Sequence, residues 1–317
     1  MSFLSSSIPG QDGHLIPLYH WPVDNPLAVV HILHGMSEHG RCYDDVAQTL
    51  QASGLAVIAH DHRCHGAACD IHQLGQASEQ DSFRRICDDV LLVNRAIRGW
   101  YPQRPLLLLG HSMGSFIAQI FAQEHSSEID ALLLEGSNYA APWYLGLAGL
   151  IAALETWRQG PQGQSALLHA LSFGQFNRLF RPNRTRYDWL SRDPRFVDRY
   201  IADPLCGTQV SNLYWKQMLQ AMVTMSRLSS MRAICKDLPI YVFSGEKDPV
   251  GGQGKGVKKL VEVLKSSGIR QVDMQLYPDA RHDILHETHR DRVIADMVAW
   301  MYKVSPQGSR TTLTQSA

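Results

Sequence analysis

The chain has 317 residues, is 44% hydrophobic and 19% charged, and sets thirty Lys+Arg against thirty Asp+Glu. That apolar content excludes a mainly disordered chain, and the charge balance excludes the basic excess of a nucleic-acid binder. The length suits one large α/β domain with an elaboration, or two smaller domains.

MSFLSSSIPGQDG at the N-terminus has neither the basic region nor the apolar core of a signal peptide. The longest apolar run, LGLAGLIAAL (145–154), is too short to span a bilayer. A cytoplasmic protein is expected, with Cys42, Cys64, Cys69, Cys87, Cys206 and Cys235 as reduced thiols.

In chain order, the first 26 residues read as a hairpin, with short apolar runs on either side of GQDG. Leu27 to Leu33 is a run of apolar and β-branched residues, as in a buried strand. A helical pattern follows over Tyr43 to Ser53, then the strand Leu55 to His60. HDHRCHGAACDIH, His60 to His72, packs four histidines, two cysteines and two aspartates into thirteen residues. A metal centre is one reading, but the spacing matches no common zinc pattern. At the C-terminal end of a core strand the stretch reads better as a scaffold loop ordered by Asp61, His62 and Arg63.

Glu79 to Trp100 carries Phe83, Ile86, Cys87, Val90, Val93 and Ile97 on one helical face. Pro105 to Gly110 and Ala131 to Gly136 are further buried strands, with a helix between them. The alternation stops from about Tyr139 to Cys235, where the periodicity is helical. It resumes with the strand Leu238 to Gly245, an amphipathic helix ending at Gly268, the alternating RQVDMQLYP, and a last helix from Arg290 to Tyr302. The expectation is a doubly wound, mostly parallel α/β core over 1–138 and 236–304, a helical cap over 139–235, and a loose tail over 305–317.

The cap region carries three features with two readings each. Trp143 to Trp157 is apolar on most faces, which fits a lid helix or a surface that touches lipid. Met218, Met222 and Met225 recur at helical spacing, either lining a pocket for an acyl chain or filling ordinary core. Seven arginines between Arg178 and Arg199 face Asp188, Asp193 and Asp198, as a phosphate site or as an internally paired surface.

GHSMG, Gly110 to Gly114, carries the chemistry. By chance a G-x-S-x-G string falls in roughly a tenth of chains this long, so its context matters more than the string. A strand precedes it and a helix follows, which lifts the Ser112 hydroxyl above the sheet edge on a tight turn. A serine needs a base and an orienting carboxylate. VFSGEKDPV places Asp248 just after a late strand, and LYPDARHDILHE places His282 after the last one. Glu135 is the alternative acid, and His286, read at the start of the last helix, is the weaker base. Acyl transfer also needs two N–H donors. Met113, after the nucleophile, and Met36, where HILHGMSEHG leaves its strand, are the candidates.

HGMSEHG with Tyr43 following, HDHRCHG, GHSMG, GEKDP and RHDILHE span about Leu27 to Tyr302. Together they resemble the α/β-hydrolases, and within them the monoacylglycerol lipase and lysophospholipase group, often labelled serine aminopeptidase-like. DWLSRD and DPLCG resemble bacterial members. The resemblance implies an α/β-hydrolase fold with a helical cap and a serine esterase acting on a lysophospholipid or monoacylglycerol. It implies the triad Ser112, Asp248 and His282, with Met36 and Met113 as oxyanion donors. Substrate contacts are further expected at Gly35, Glu38, Arg41 and His111, and, from their helical spacing, at Met218 and Met222 on the acyl side. No cofactor or metal is expected. The expected partner is a lipid ester, and transient membrane-surface contact through the cap is a further expectation. The chain departs from the group at Cys64, where glycine is usual, and at Cys42, which separates Arg41 from Tyr43. Rival readings are a short-chain carboxylesterase, a thioesterase, an aminopeptidase-like hydrolase, a catalytically silent binding protein and a metalloenzyme centred on His60 to His72.

Overall fold

The computed structural model describes residues 3–78 and 82–305. The expected start of the second helix at Glu79, and the tail beyond Ser305, lie outside the described residues. Among the described residues eight strands form one sheet: β1 (Leu4–Pro9), β2 (Leu15–Trp21), β3 (Ala28–Leu33), β4 (Leu55–His60), β5 (Leu106–His111), β6 (Ala131–Glu135), β7 (Ile240–Gly245) and β8 (Val272–Tyr277). Their order is β1-β2-β4-β3-β5-β6-β7-β8. β2 runs antiparallel to β1 and β4, and the remaining pairings are parallel. The expected doubly wound, mostly parallel sheet is therefore present, with the N-terminal hairpin extending one edge.

Both faces of this sheet are covered, so its central strands are apolar at nearly every position. The side chains alternate between two cores. Val29, Leu33, Leu106, Leu108, Leu132, Leu134, Ile240 and Val242 point to one face. Ala28, Val30, Ile32, Leu107, Leu109, Leu133, Tyr241 and Phe243 point to the other. The first core is closed by α2 (Ser82–Trp100), α3 (Met113–His125) and α10 (Lys255–Ser266), through residues such as Val90, Ile117 and Leu260. The second is closed by α1 (Asp44–Ala52) and α11 (Arg290–Val304), through Val46, Leu50, Val293 and Met297.

Between β6 and β7 the chain forms six α-helices and one π-helical turn, Ala170–Gly174. The α-helices are α4 (Pro142–Gln159), α5 (Ala166–His169), α6 (Gln175–Arg178), α7 (Pro194–Ala202), α8 (Asn212–Met225) and α9 (Leu228–Ala233). Asp193 caps α7 and Ser211 caps α8, each accepting a first-turn N–H. α4 buries Leu145, Ala152 and Glu155 and leaves its opposite face open. Among the described residues no helix is long and apolar enough to cross a membrane.

The parallel strands all end at one edge, where Gly35, Asp61, Ser112, Gly136, Asp248 and His282 follow. Ligands of open α/β sheets bind outside these carboxyl ends. The last helix starts at Arg290, so His286 sits instead on the short 3-10 turn Ile284–His286.

Candidate active site

Ser112 joins β5 to α3 with φ 50° and ψ −117°. A side chain at positive φ costs about 1–3 kcal/mol and persists only where its surroundings impose it. Here the Ser112 N–H donates to the Glu135 carbonyl at 3.0 Å, and its own carbonyl accepts from Ser115 N–H at 2.9 Å. The flanking glycines are dictated by close approach. A Cβ at Gly110 would collide with the Gly114 carbonyl, and one at Gly114 with that of Leu33.

Asp248 follows β7 and is fully buried. Its carboxylate accepts from Ser244 Oγ and Val250 N–H, each at 2.8 Å. His282 follows β8, and its Nδ1 lies 2.9 Å from Asp248 Oδ1. That bond makes Nδ1 the donor and leaves a lone pair on Nε2. Nε2 is buried and has no partner among the described residues. His282 and Ser112 line the same cavity. Trp189 stacks on the His282 ring at 5.0 Å and 28°, and its carbonyl accepts the His282 N–H at 3.4 Å. The imidazole is thus fixed on one edge by a carboxylate and on one face by an indole.

Met36 lines this cavity on the loop after β3. Met113 is the first residue of α3, where an N–H has no intrahelical carbonyl to bond. Glu38 braces the Met36 loop by accepting from the Gly35 N–H and, at 2.7 Å, from Tyr43 Oη–H. The inserted helical region holds it from above. Ser37 O accepts from Gly207 N–H at 2.8 Å and from Tyr200 Oη–H at 2.9 Å. Ser37 Oγ donates to Thr208 O at 2.6 Å.

Glu135 is occupied elsewhere: it pairs with His111 Nδ1 and accepts the Ile284 N–H at 3.0 Å. Burial disfavours charge on His111, but the carboxylates of Glu135 and Asp283 outweigh it and lift its pKa to about 10. His286 is committed to Asp283 at 2.9 Å and to Cys42 O at 3.1 Å. Neither residue is free to serve Ser112.

The cavity beside Ser112 is small, about 40 Å³. Gly35, Glu38 and His111 line it, as do Phe173, Tyr187 and Trp189. These three aromatics are not among the site residues expected from the sequence. The signal for two of them was the run YDWLSRD, whose periodicity points to no single face. Arg41 does not reach this cavity and lines a separate cleft with His39 and Cys206. Met218 and Met222 do not reach it either; both are buried in the core between α8 and the sheet helices. Four of the seven arginines form ion pairs: Arg184 with Asp198, Arg192 with Glu287, Arg195 with Asp193 and Arg199 with Asp45.

The histidine-rich stretch is scaffold. Asp61 accepts from Tyr19 Oη–H at 2.7 Å, Gly40 N–H at 2.8 Å and Ala67 N–H at 2.7 Å. The His62 N–H donates to His34 Nε2 at 2.9 Å, and Arg63 pairs with Asp12 and Asp89. Among the described residues no three ligand atoms converge within this stretch.

The family described as serine aminopeptidase, S33, matches residues 24–289. The chain is 28% identical over 303 residues to the monoacylglycerol lipase of Mycolicibacterium smegmatis, covering 93% of this chain and 95% of that protein. It is 28% identical over 309 residues to the monoglyceride lipase of Rattus norvegicus, covering 94% and 91%. The fold is similar to that of a thermostable carboxyl esterase from Bacillus coagulans, solved with glycerol, at a TM-score of 0.87 and 24% identity over 96% of this chain and 99% of that one.

Proposed function

The chain belongs to the serine aminopeptidase, S33, family of α/β-hydrolases, and we propose that this ester hydrolase acts on the carboxylic ester of a monoacyl lipid, a monoacylglycerol or lysophospholipid. One observation carries the mechanism: His282 and Ser112 line one cavity, and the imidazole is held at Nδ1 by Asp248 while its buried Nε2 has no partner among the described residues. His282 takes the Ser112 proton as the oxygen attacks the ester carbonyl. The N–H groups of Met36 and Met113 hold the oxyanion, and the positive end of α3 favours the developing charge. His282 returns the proton to the departing alcohol. Water then hydrolyses the acyl-enzyme by the same route, and Asp248 keeps the imidazole in the productive tautomer.

The helical region over 139–235 serves as the cap. The similarity to two named monoacylglycerol lipases supports a lipid ester, as do the aromatics lining the cavity. The apolar outer face of α4, with Trp143 74% and Trp157 83% exposed, supports membrane-surface contact. A cytoplasmic setting, with reduced thiols, completes the reading.

The test is hydrolysis of monoacylglycerols, lysophospholipids and p-nitrophenyl esters of rising chain length by wild type and Ser112→Ala. Preference for long monoacyl esters and loss of turnover in the variant are expected. A preference for aminoacyl amides would overturn the substrate class, and undiminished activity in Ser112→Ala would overturn the site.

A further inference from the structure

Two short turns face each other across the junction of the cap and the Met36 loop. His39-x-x-Cys42 lies at the 3-10 turn Gly40–Tyr43, where the Cys42 N–H donates to His39 O at 3.0 Å. Asp203-x-x-Cys206 follows α7, closed by the Cys206 N–H on Asp203 O at 3.1 Å. These turns come from residues 164 apart in sequence. A ring nitrogen of His39, Cys42 Sγ and Cys206 Sγ all lie within 4.8 Å of one another.

We propose that His39, Cys42 and Cys206 form a binding site for a soft divalent cation, Zn²⁺ above others, with Asp203 orienting the imidazole, so that the metal clasps the cap to the Met36 loop. Two thiols and one imidazole are a donor set that Zn²⁺ takes, and two-residue spacing between ligands recurs in zinc sites. Tetrahedral Zn–S bonds of about 2.3 Å put two sulfurs about 3.8 Å apart. Cys42 Sγ and Cys206 Sγ are 3.6 Å apart, so both sulfurs reach one ion without backbone movement. Both cysteines are free thiols and half-buried, on a cleft open to solvent that can supply a fourth ligand.

His39 gives an independent indication. Its Nε2 lies 3.1 Å from Asp203 Oδ2, the outer carboxylate that ligating imidazoles commonly carry. Its Nδ1 is buried with no partner among the described residues. On coordination the two thiols release their protons to solvent, and no electron transfer is involved. The consequence is mechanical. Gly207, Thr208 and Tyr200 already hold Ser37 beside Met36, and a metal on Cys206 and Cys42 would lock that contact.

The experiment is titration of the reduced full chain with Co²⁺ and then Zn²⁺, followed by absorption and thermal melting. One equivalent of Co²⁺ is expected to give thiolate-to-cobalt charge-transfer absorption that Zn²⁺ abolishes by displacement. Zn²⁺ should raise the Tm of wild type. Cys42→Ser and Cys206→Ser should lose the absorption and the Tm rise while melting cooperatively without metal. Asp203→Asn should weaken binding about 10-fold to 100-fold and keep the thiolate band. No charge-transfer absorption in fully reduced wild type overturns the proposal. So does absorption that survives in either serine variant, or a Cys42–Cys206 disulfide that forms in air while no metal is retained. Unchanged affinity in Asp203→Asn overturns the role given to that carboxylate.

Discussion

Cys64 stands at φ 67°, in the left-handed region that favours glycine. Its carbonyl accepts the Gly75 N–H at 2.7 Å and its Sγ donates to Gln76 O at 3.0 Å, which together hold the loop in that shape. Any Cβ here costs roughly 1–2 kcal/mol, which explains why glycine is the residue a resembling loop would carry. Burial pushes the thiol up to about 12, so at neutral pH it remains protonated and acts as a filler. Cys64→Gly relieves the backbone strain, whereas Cys64→Ala keeps it and loses the buried sulfur. In urea or thermal melts Cys64→Gly should be at least as stable as Cys64→Ala, despite its smaller volume. The reverse order would show that no strain is stored at this position.

Among the elements, α4 presents Trp143, Leu147, Leu150, Leu154 and Trp157 to solvent. Their alternating spacing of four and three residues makes one continuous apolar stripe, opposite the face that packs on α8. Leu150→Glu or Trp157→Glu should lower hydrolysis of a monoacylglycerol presented in vesicles several-fold, and leave hydrolysis of a soluble short-chain p-nitrophenyl ester unchanged. Equal rates on vesicles for wild type and both variants would contradict a lipid-facing role. This helix was legible in the sequence as apolar on most faces, but which face remained open was not, because α8 supplies the partner. The same limit separates what could be read from what could not. β3, β5, β6 and β7 are apolar runs with punctuated ends, and the two-faced sheet makes them so. Ser112, Asp248 and His282 follow strand ends, where chain order alone ranks candidates. Trp189 on His282, and Cys42 facing Cys206, are tertiary contacts with no local periodicity to announce them. Met218 and Met222 had the spacing of a pocket wall and of a core face alike, and packing against the sheet helices decided for the core.

At the scale of the whole molecule, its buried histidines pull stability in opposite directions with pH. Burial lowers His31 and His65 to about 4, and drives His34, His60 and His62 down as well. In the unfolded chain these groups take up protons below about pH 6.5. Stability is therefore lost as pH falls from 6.5 towards 4, by about 1.4 kcal/mol per pH unit for each histidine still neutral in the fold. His111 has the opposite sign. Raised to about 10, it contributes stability in full below pH 6.5 and loses it as pH climbs towards 10. Thermal melting across pH 4.5 to 9.5 should show a maximum near neutrality with a fall on both sides, steeper on the acid limb. A Tm that held constant from pH 6.5 to 4.5 would contradict neutral, buried imidazoles. Of these histidines His111 lines the cavity of Ser112, the residue on which the proposed chemistry depends. The most direct test of that chemistry is reaction of the native protein with a fluorophosphonate probe, with the adduct located by peptide mass spectrometry. One stoichiometric adduct is expected on Ser112, absent in Ser112→Ala and strongly slowed in His282→Ala. Labelling at another residue, or esterase turnover that persists when Ser112 is fully modified, would contradict it.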